Sequence, residues 1–296
     1  AMWEKSLSLD DNFYIVQRNL ALAAQEQEGD LGRSASLYGD AFANNREDPR
    51  LMYEYDLVLE QAGVPPQERF ARVFEGNRGI SAQKTATLLR ELEILVLLGR
   101  YDEAIDILTS TTFVETEGAR TLRDVYCDAF ILRSLRNAGE GSYDEAVRDL
   151  RMALDYPIGR WGSERRAQMN YLMGTYLEGR GESAASRNFY ESAASELVAG
   201  TEFHYEKGLA CRKLGRTAEA NREFTALLDL AERTGDRDAF RSFERGATGN
   251  ARLSQGHYLR GLAYQGMGRR PEAGTQFARA VELDPANVWA AYMLKN

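Results

Sequence analysis

The chain has 296 residues, of which 28% are charged and 44% hydrophobic, with a formal net charge of −8. An acidic balance disfavours nucleic acid, whose phosphates require a cationic face. No apolar run nears the roughly 18 residues of a membrane-spanning helix. Cys127 and Cys211 are too far apart to make a disulfide framework or a metal knuckle. Both read as buried helix residues in a reducing, cytoplasmic interior, and the predominance of Arg over Lys points to a bacterial source.

Only 6 prolines occur and no linker of Pro, Gly and Ser divides the chain, which predicts one domain over 1–296. In chain order, "WEKSLSLDDN" aligns with the late segment "FARAVELDPAN". The chain therefore opens inside a second helix, and a truncated repeat at 2–12 is expected in a piece of a longer protein. "EGDLGRSASLYGDAF" is a weak copy of a helix-pair pattern, with Gly29, Ser34, Tyr38 and Ala41. "GRYDEAIDIL" supplies Gly99, Ala104 and Leu108, and a Thr-rich loop is expected at 110–121. "GSYDEAVRDLRMALDYP" supplies Ala146, Leu150, Ala153 and Pro157, followed by a loop at 156–166.

Three fuller copies follow. The first has Gly174, Gly181, Tyr190 and Ala193; the second has Gly208, Gly215, Ala220 and Phe224. The last has Gly261, Tyr264, Gly268, Ala273, Phe277, Ala280 and Pro285. Their starts, Asn170, His204 and His257, are spaced 34 and 53 residues apart. The excess falls at 234–250, where an extra helical turn or two is predicted. "NVWAAYML" reads as a short closing helix.

A small residue, an aromatic, a turn Gly, an Ala, a second aromatic and a closing Pro form the 34-residue tetratricopeptide pattern. Small residues let two antiparallel helices approach, aromatics fill the space beside them, and glycine makes the turn. The fold class is therefore all-α: a right-handed superhelical solenoid of about six to seven helix pairs.

Four segments, "RNLALAA", "DPRLMYEYDLVLEQAGVPPQERF", "LDYPIGRWGSERRAQMNYLMG" and "QGHYLRGLAYQGMG", resemble the C-terminal tetratricopeptide region of a family of large bacterial proteins. In that family a galactose-mutarotase-like β-sandwich of unknown function stands in front. The resemblance implies a carbohydrate-related setting and makes the absent N-terminal domain a candidate partner. Relatives carry His and Trp in the loop after the third repeat. Here that place reads Phe113 to Gly118, with Phe113, Glu117 and Gly118 as the corresponding residues and without the His and Trp.

Candidate site residues follow from the repeat. Tyr171, Tyr205 and Tyr258 occupy one position on successive first helices, where a ladder of rings would suit a peptide or a sugar. Lys207 and Arg260 would add positive charge beside them. Arg160 with Trp161 suits a carbohydrate face, an anion or a partner domain. Glu117 is a loop carboxylate of the same binding set. His204 and His257 recur in the same register, so they cannot converge on one zinc when packed helices lie about 8–10 Å apart. No phosphate loop, nucleophile elbow or metal motif is present. The expectation is a non-catalytic scaffold without cofactors that binds a protein partner or its own N-terminal domain. A homodimer of the isolated chain is also expected, and carbohydrate binding in a glycoside-active enzyme is the alternative.

Overall fold

The computed structural model describes residues 3, 5, 12–113, 119–156, 165–236 and 249–296. Among the described residues there are sixteen α-helices, two short π-helical stretches and no strand. The all-α class and the tetratricopeptide-type pairing both hold. The chain divides into two compact units, Ala1–Val125 and Tyr126–Asn296.

Unit 1 contains α1 (Tyr14–Ala23, prolonged by the π-turn Ala24–Glu28), α2 (Leu31–Asn44) and α3 (Pro49–Gln61). It continues with α4 (Pro66–Arg69, prolonged by the π-turn Phe70–Phe74), α5 (Arg78–Ser81), α6 (Thr85–Leu97) and α7 (Tyr101–Ser110). Local chemistry sets the helix starts. The Asp30 carboxylate accepts the Arg33 amide at 2.9 Å. Asp48 accepts the Arg50 amide at 2.8 Å, just ahead of Pro49 at the first helical position.

The interior of unit 1 holds an ion network. Arg69, 2% exposed, donates to both oxygens of Asp56, 0% exposed, at 2.9 Å each. Arg90 reaches the same carboxylate at 2.7 Å, Glu60 at 2.9 Å and Glu93 at 2.9 Å. Beside it, Arg18 holds Glu54 with two hydrogen bonds at 2.6 and 2.5 Å, and Arg50 donates to Glu54 at 2.9 Å. Each buried charge therefore faces an opposite one, as burial demands.

Unit 2 comprises the helix pairs α8 (Ala119–Gly139) with α9 (Tyr143–Leu154), and α10 (Arg166–Gly179) with α11 (Ser183–Ser195). Next come α12 (His204–Lys213) with α13 (Thr217–Asp236), α14 (Gly249–Gly266) with α15 (Arg270–Leu283), and α16 (Val288–Lys295). The boundary between units falls within α8. The predicted excess at 234–250 is taken up in part by longer helices, since α13 runs to Asp236 and α14 begins at Gly249.

One register repeats in unit 2. A Cβ on Gly261 would lie closer than 3.0 Å to the ring of Phe277. One on Gly208 would lie 2.5 Å from Phe224, and one on Gly174 would lie 2.7 Å from Tyr190. Each first helix thus presses its glycine onto the aromatic of its own second helix. Ala273, Phe277 and Ala280 are buried in that contact, and the turn between the helices uses Gly268 at φ +80. Cys127 and Cys211 are buried and are not joined in a disulfide, as expected.

Candidate functional site

The first helices of unit 2 carry a row of aromatic residues. Tyr171 packs on Tyr190 with ring centroids 5.8 Å apart, Tyr205 on Phe224 at 6.4 Å, and Tyr258 on Phe277 at 6.2 Å. The rings therefore brace their own helix pairs. Tyr258 is only 6% exposed and belongs to the core, while Tyr171 and Tyr205 are half-buried. Tyr292 stands 34 residues after Tyr258 on α16, so the closing helix is the first helix of one more repeat and adds a fourth tyrosine to the row. That spacing was present in the sequence and had gone unread.

Among the described residues the hydroxyls of Tyr205 and Tyr258 make no hydrogen bond. Burial pushes the Tyr205 hydroxyl well above its ordinary range, with nearby Glu206 and Tyr171 adding to the shift. Burial does the same to Tyr258, reinforced by Glu202 and Glu206 and opposed by Arg165. These groups share one neighbourhood on the first-helix side of unit 2.

Glu206 is the central acid of that neighbourhood. Gln168 Nε2 donates to its Oε1 at 3.2 Å, joining α10 to α12. Burial raises the Glu206 carboxyl to about 8, with Glu202 adding to the rise and Arg165 opposing it. Gln168 is 4% exposed, and its Oε1 has no hydrogen-bond partner among the described residues.

A second cluster joins the first and last first-helices of the unit. Asp128 on α8 accepts Arg165 Nη1 at 2.5 Å and Trp289 Nε1 of α16 at 2.7 Å. The Arg165 guanidinium also lies 5.7 Å from the Trp289 ring centroid. Sequence reading missed Asp128, Arg165, Trp289, Gln168 and Glu206, because a contact across 161 residues leaves no local trace.

The expected cations behave differently from each other. The positive charge predicted beside Tyr205 is not free. Lys207 Nζ donates to the Glu196 carbonyl at 2.9 Å and lies 3.6 Å from Glu223. Arg133 with Asp149 holds the matching place in the α8–α9 pair, at 2.6 Å. Arg260 is half-buried and makes no ion pair among the described residues, since Gln276 stands where Glu223 and Asp149 stand in the other pairs. His204 Nδ1 meets Glu223 at 2.5 Å and His257 Nδ1 meets Gln276 at 2.8 Å, each tying a first helix to its own second helix. Arg160, Trp161 and Glu117 lie outside the described residues.

Among the described residues no group of three or more His, Cys, Asp or Glu is placed to hold a metal ion. No described helix is long and apolar enough to cross a membrane.

Residues 254–287 match the family model described as Tetratricopeptide repeat. A tetratricopeptide repeat protein from Parabacteroides merdae is 14% identical, with 95% of this chain and 97% of that one aligned at a TM-score of 0.49. The C-terminal part of a TPR repeat-containing protein from Cytophaga hutchinsonii is 13% identical, with 94% and 99% aligned at a TM-score of 0.41. These likenesses are too distant to speak to function. The stretch 254–287 is a match to the tetratricopeptide repeat, and the pairs upstream share its glycine-on-aromatic register.

Proposed function

We propose that unit 2 is a docking platform for an extended segment of a protein partner, and that the chain works as a non-catalytic scaffold. The observation that carries this reading is the pair of hydroxyls on Tyr205 and Tyr258. They stand in one register on neighbouring helices, beside Glu206, and have no hydrogen bond among the described residues. Neither hydroxyl is tied into the fold, so each can exchange water for a group of a partner. Groups kept for a ligand are satisfied when the ligand arrives.

Geometry favours an extended chain. Packed helices are spaced by about 8–10 Å, and three residues of extended chain span about 10 Å. A partner laid across α10, α12 and α14 would offer one side chain or peptide group to each tyrosine in turn. The partner is either a separate protein or a segment of the larger protein that the sequence resemblance implies.

The test is selection from a display library of random linear peptides, followed by affinity measurement with Tyr171→Ala and Tyr205→Ala. Both residues are half-buried, so circular dichroism should show that the variants remain folded. Selected peptides should bind the unaltered protein and lose at least tenfold in affinity in the variants. Unchanged affinity in both variants would refute the reading. So would tight binding of oligosaccharides in place of peptides, which would make the site a carbohydrate subsite.

A further inference from the structure

The tyrosine row of unit 2 already has an occupant, and it comes from the chain itself. α16 follows the α14–α15 pair and packs on it through Ala290, its one fully buried residue, and through Met293. Its other contacts run to the far end of the unit. Trp289 Nε1 donates to Asp128 of α8 at 2.7 Å, and the Trp289 ring lies 5.7 Å from the Arg165 guanidinium at the start of α10. Asp128 and Arg165 form an ion pair at 2.5 Å, with side chains only 15% and 13% exposed. Burial pushes the hydroxyls of Tyr176 on α10 and Tyr205 on α12 up, and Tyr292 adds to both shifts. Trp289 and Tyr292, one helical turn apart, therefore turn toward α8, α10 and α12, where a docked segment would lie.

α16 is also the shortest helix of unit 2, with eight residues. A helix of that length does not persist in water without its contacts. Its start is anchored: Asn287 Oδ1 accepts the Ala290 amide at 3.0 Å, and Asn287 Nδ2 donates to Ser254 of α14 at 3.0 Å. Beyond that anchor most of the helix is half-buried, and Leu294 is 44% exposed. A segment with so few deeply buried contacts opens at low free energy. Asp128 and Arg165 keep each other when Trp289 leaves, so the place it vacates stays formed.

We propose that α16 is a built-in occupant of the docking face. A docking segment displaces it by supplying an aromatic residue of its own, an indole with its N–H on Asp128 and its ring beside Arg165. The proposal rests on the docking reading above and adds the partner's chemistry and its regulation. An indole suits the place because it offers one donor and a π face together. An aliphatic side chain there would leave Asp128 short of a donor, and a carboxylate would meet a like charge. A second aromatic residue, one helical turn on, takes the place of Tyr292 near Tyr205. Affinity is then set by the fraction of molecules in which α16 has left.

The experiment uses α16 as its own probe. A fluorescent peptide of residues 287–296, and the same peptide with alanine in place of tryptophan, are titrated against the full chain and its variants. Trp289→Ala should bind the tryptophan peptide about tenfold more tightly than the unaltered chain, because the competing side chain is gone. A merely structural tryptophan would do the opposite, since its loss would loosen the face and weaken binding. The alanine peptide should bind neither protein. Asp128→Asn added to Trp289→Ala should remove much of the gain, and Leu294→Ser, on the exposed side of α16, should match the unaltered chain. If Trp289→Ala misfolds, Trp289→Phe should show the same direction with a smaller gain. Hydrogen–deuterium exchange of the unaltered chain adds a second readout: a library-selected peptide should speed exchange in α16 while it protects α10 and α12.

Affinity for the tryptophan peptide that is unchanged or weaker in the Trp289 variants, or α16 that stays equally protected with a selected peptide bound, would overturn the built-in occupant. The docking reading would survive that result if library-selected peptides still lose affinity in Tyr205→Ala. If the selected peptides are also indifferent to Tyr171→Ala and Tyr205→Ala, both readings fall.

Discussion

The two units give their most buried carboxylates different partners. In unit 1, Asp56 is buried between Arg69 and Arg90, and the half-buried Glu54 is paired with Arg18 and with the exposed Arg50. In unit 2, Glu206 has an amide for a partner, and among the described residues Gln168 Oε1 has no donor and the Tyr205 and Tyr258 hydroxyls make no hydrogen bond. A network of paired charges specifies a fold, because each charge already faces an opposite one. An unsaturated surface specifies a ligand, because its complement must come from elsewhere. Both units are built of helices, and the difference lies in a few polar side chains.

The largest effect should come from breaking the saturated side. Arg69→Met leaves Asp56 buried with only Arg90 opposite, and should cost about 3–5 kcal/mol in urea unfolding. Replacing both partners, as Asp56→Leu with Arg69→Met, should cost less than the single change, since no orphan charge remains. A double variant worse than Arg69→Met would show that the network does more than neutralise itself.

Next in size is the shared repeat contact. Gly261→Ala would push a methyl into the Phe277 ring and should cost about 1–3 kcal/mol. Phe277→Leu in the same chain should recover part of that loss, which thermal unfolding would show. An unchanged melting temperature would mean that the register of helix against helix is wrong.

Glu206→Gln tests the unsaturated side through pH. The native carboxyl titrates at about 8 in place of its ordinary 4.5. Between those values the native state binds more protons than the unfolded state, so stability falls as pH rises through that window. The penalty is complete above pH ~8 and absent below pH ~4.5. Glu206→Gln should remove that slope, measured as the melting temperature of unit 2 from pH 5 to 9. A slope unaltered by the substitution would mean that Glu206 is an ordinary surface acid.

The smallest effect should come from Trp289→Phe. It removes one hydrogen bond to Asp128 and leaves the Arg165 pair in place, so about 1 kcal/mol is expected in denaturant unfolding. Asp128→Asn should cost more, because it weakens both contacts.

The sequence made the fold legible where the repeat is local. Gly261, Gly268, Ala273, Phe277 and Ala280 sit within one helix pair, and short-range spacing forces their roles. Tyr171, Tyr205 and Tyr258 were readable as a row for the same reason, although their burial was not, because spacing alone cannot say how deep a ring lies. Tyr292 was legible by its 34-residue interval but stood in a helix too short to look like a repeat. Asp56 inside the apolar run "LMYEYDLVL" was a visible oddity, and its meaning required Arg69 and Arg90 to be folded against it. Asp128 with Trp289 and Gln168 with Glu206 depend on how successive pairs stack, and no short window of sequence encodes that.

The most direct test of the contrast between the units is hydrogen–deuterium exchange of the whole chain with and without a library-selected peptide. New protection should appear in α10, α12 and α14 of unit 2, with α3 and α6 of unit 1 unchanged. Protection in α3 and α6, with none in α10, α12 or α14, would contradict the assignment of docking to the unsaturated face.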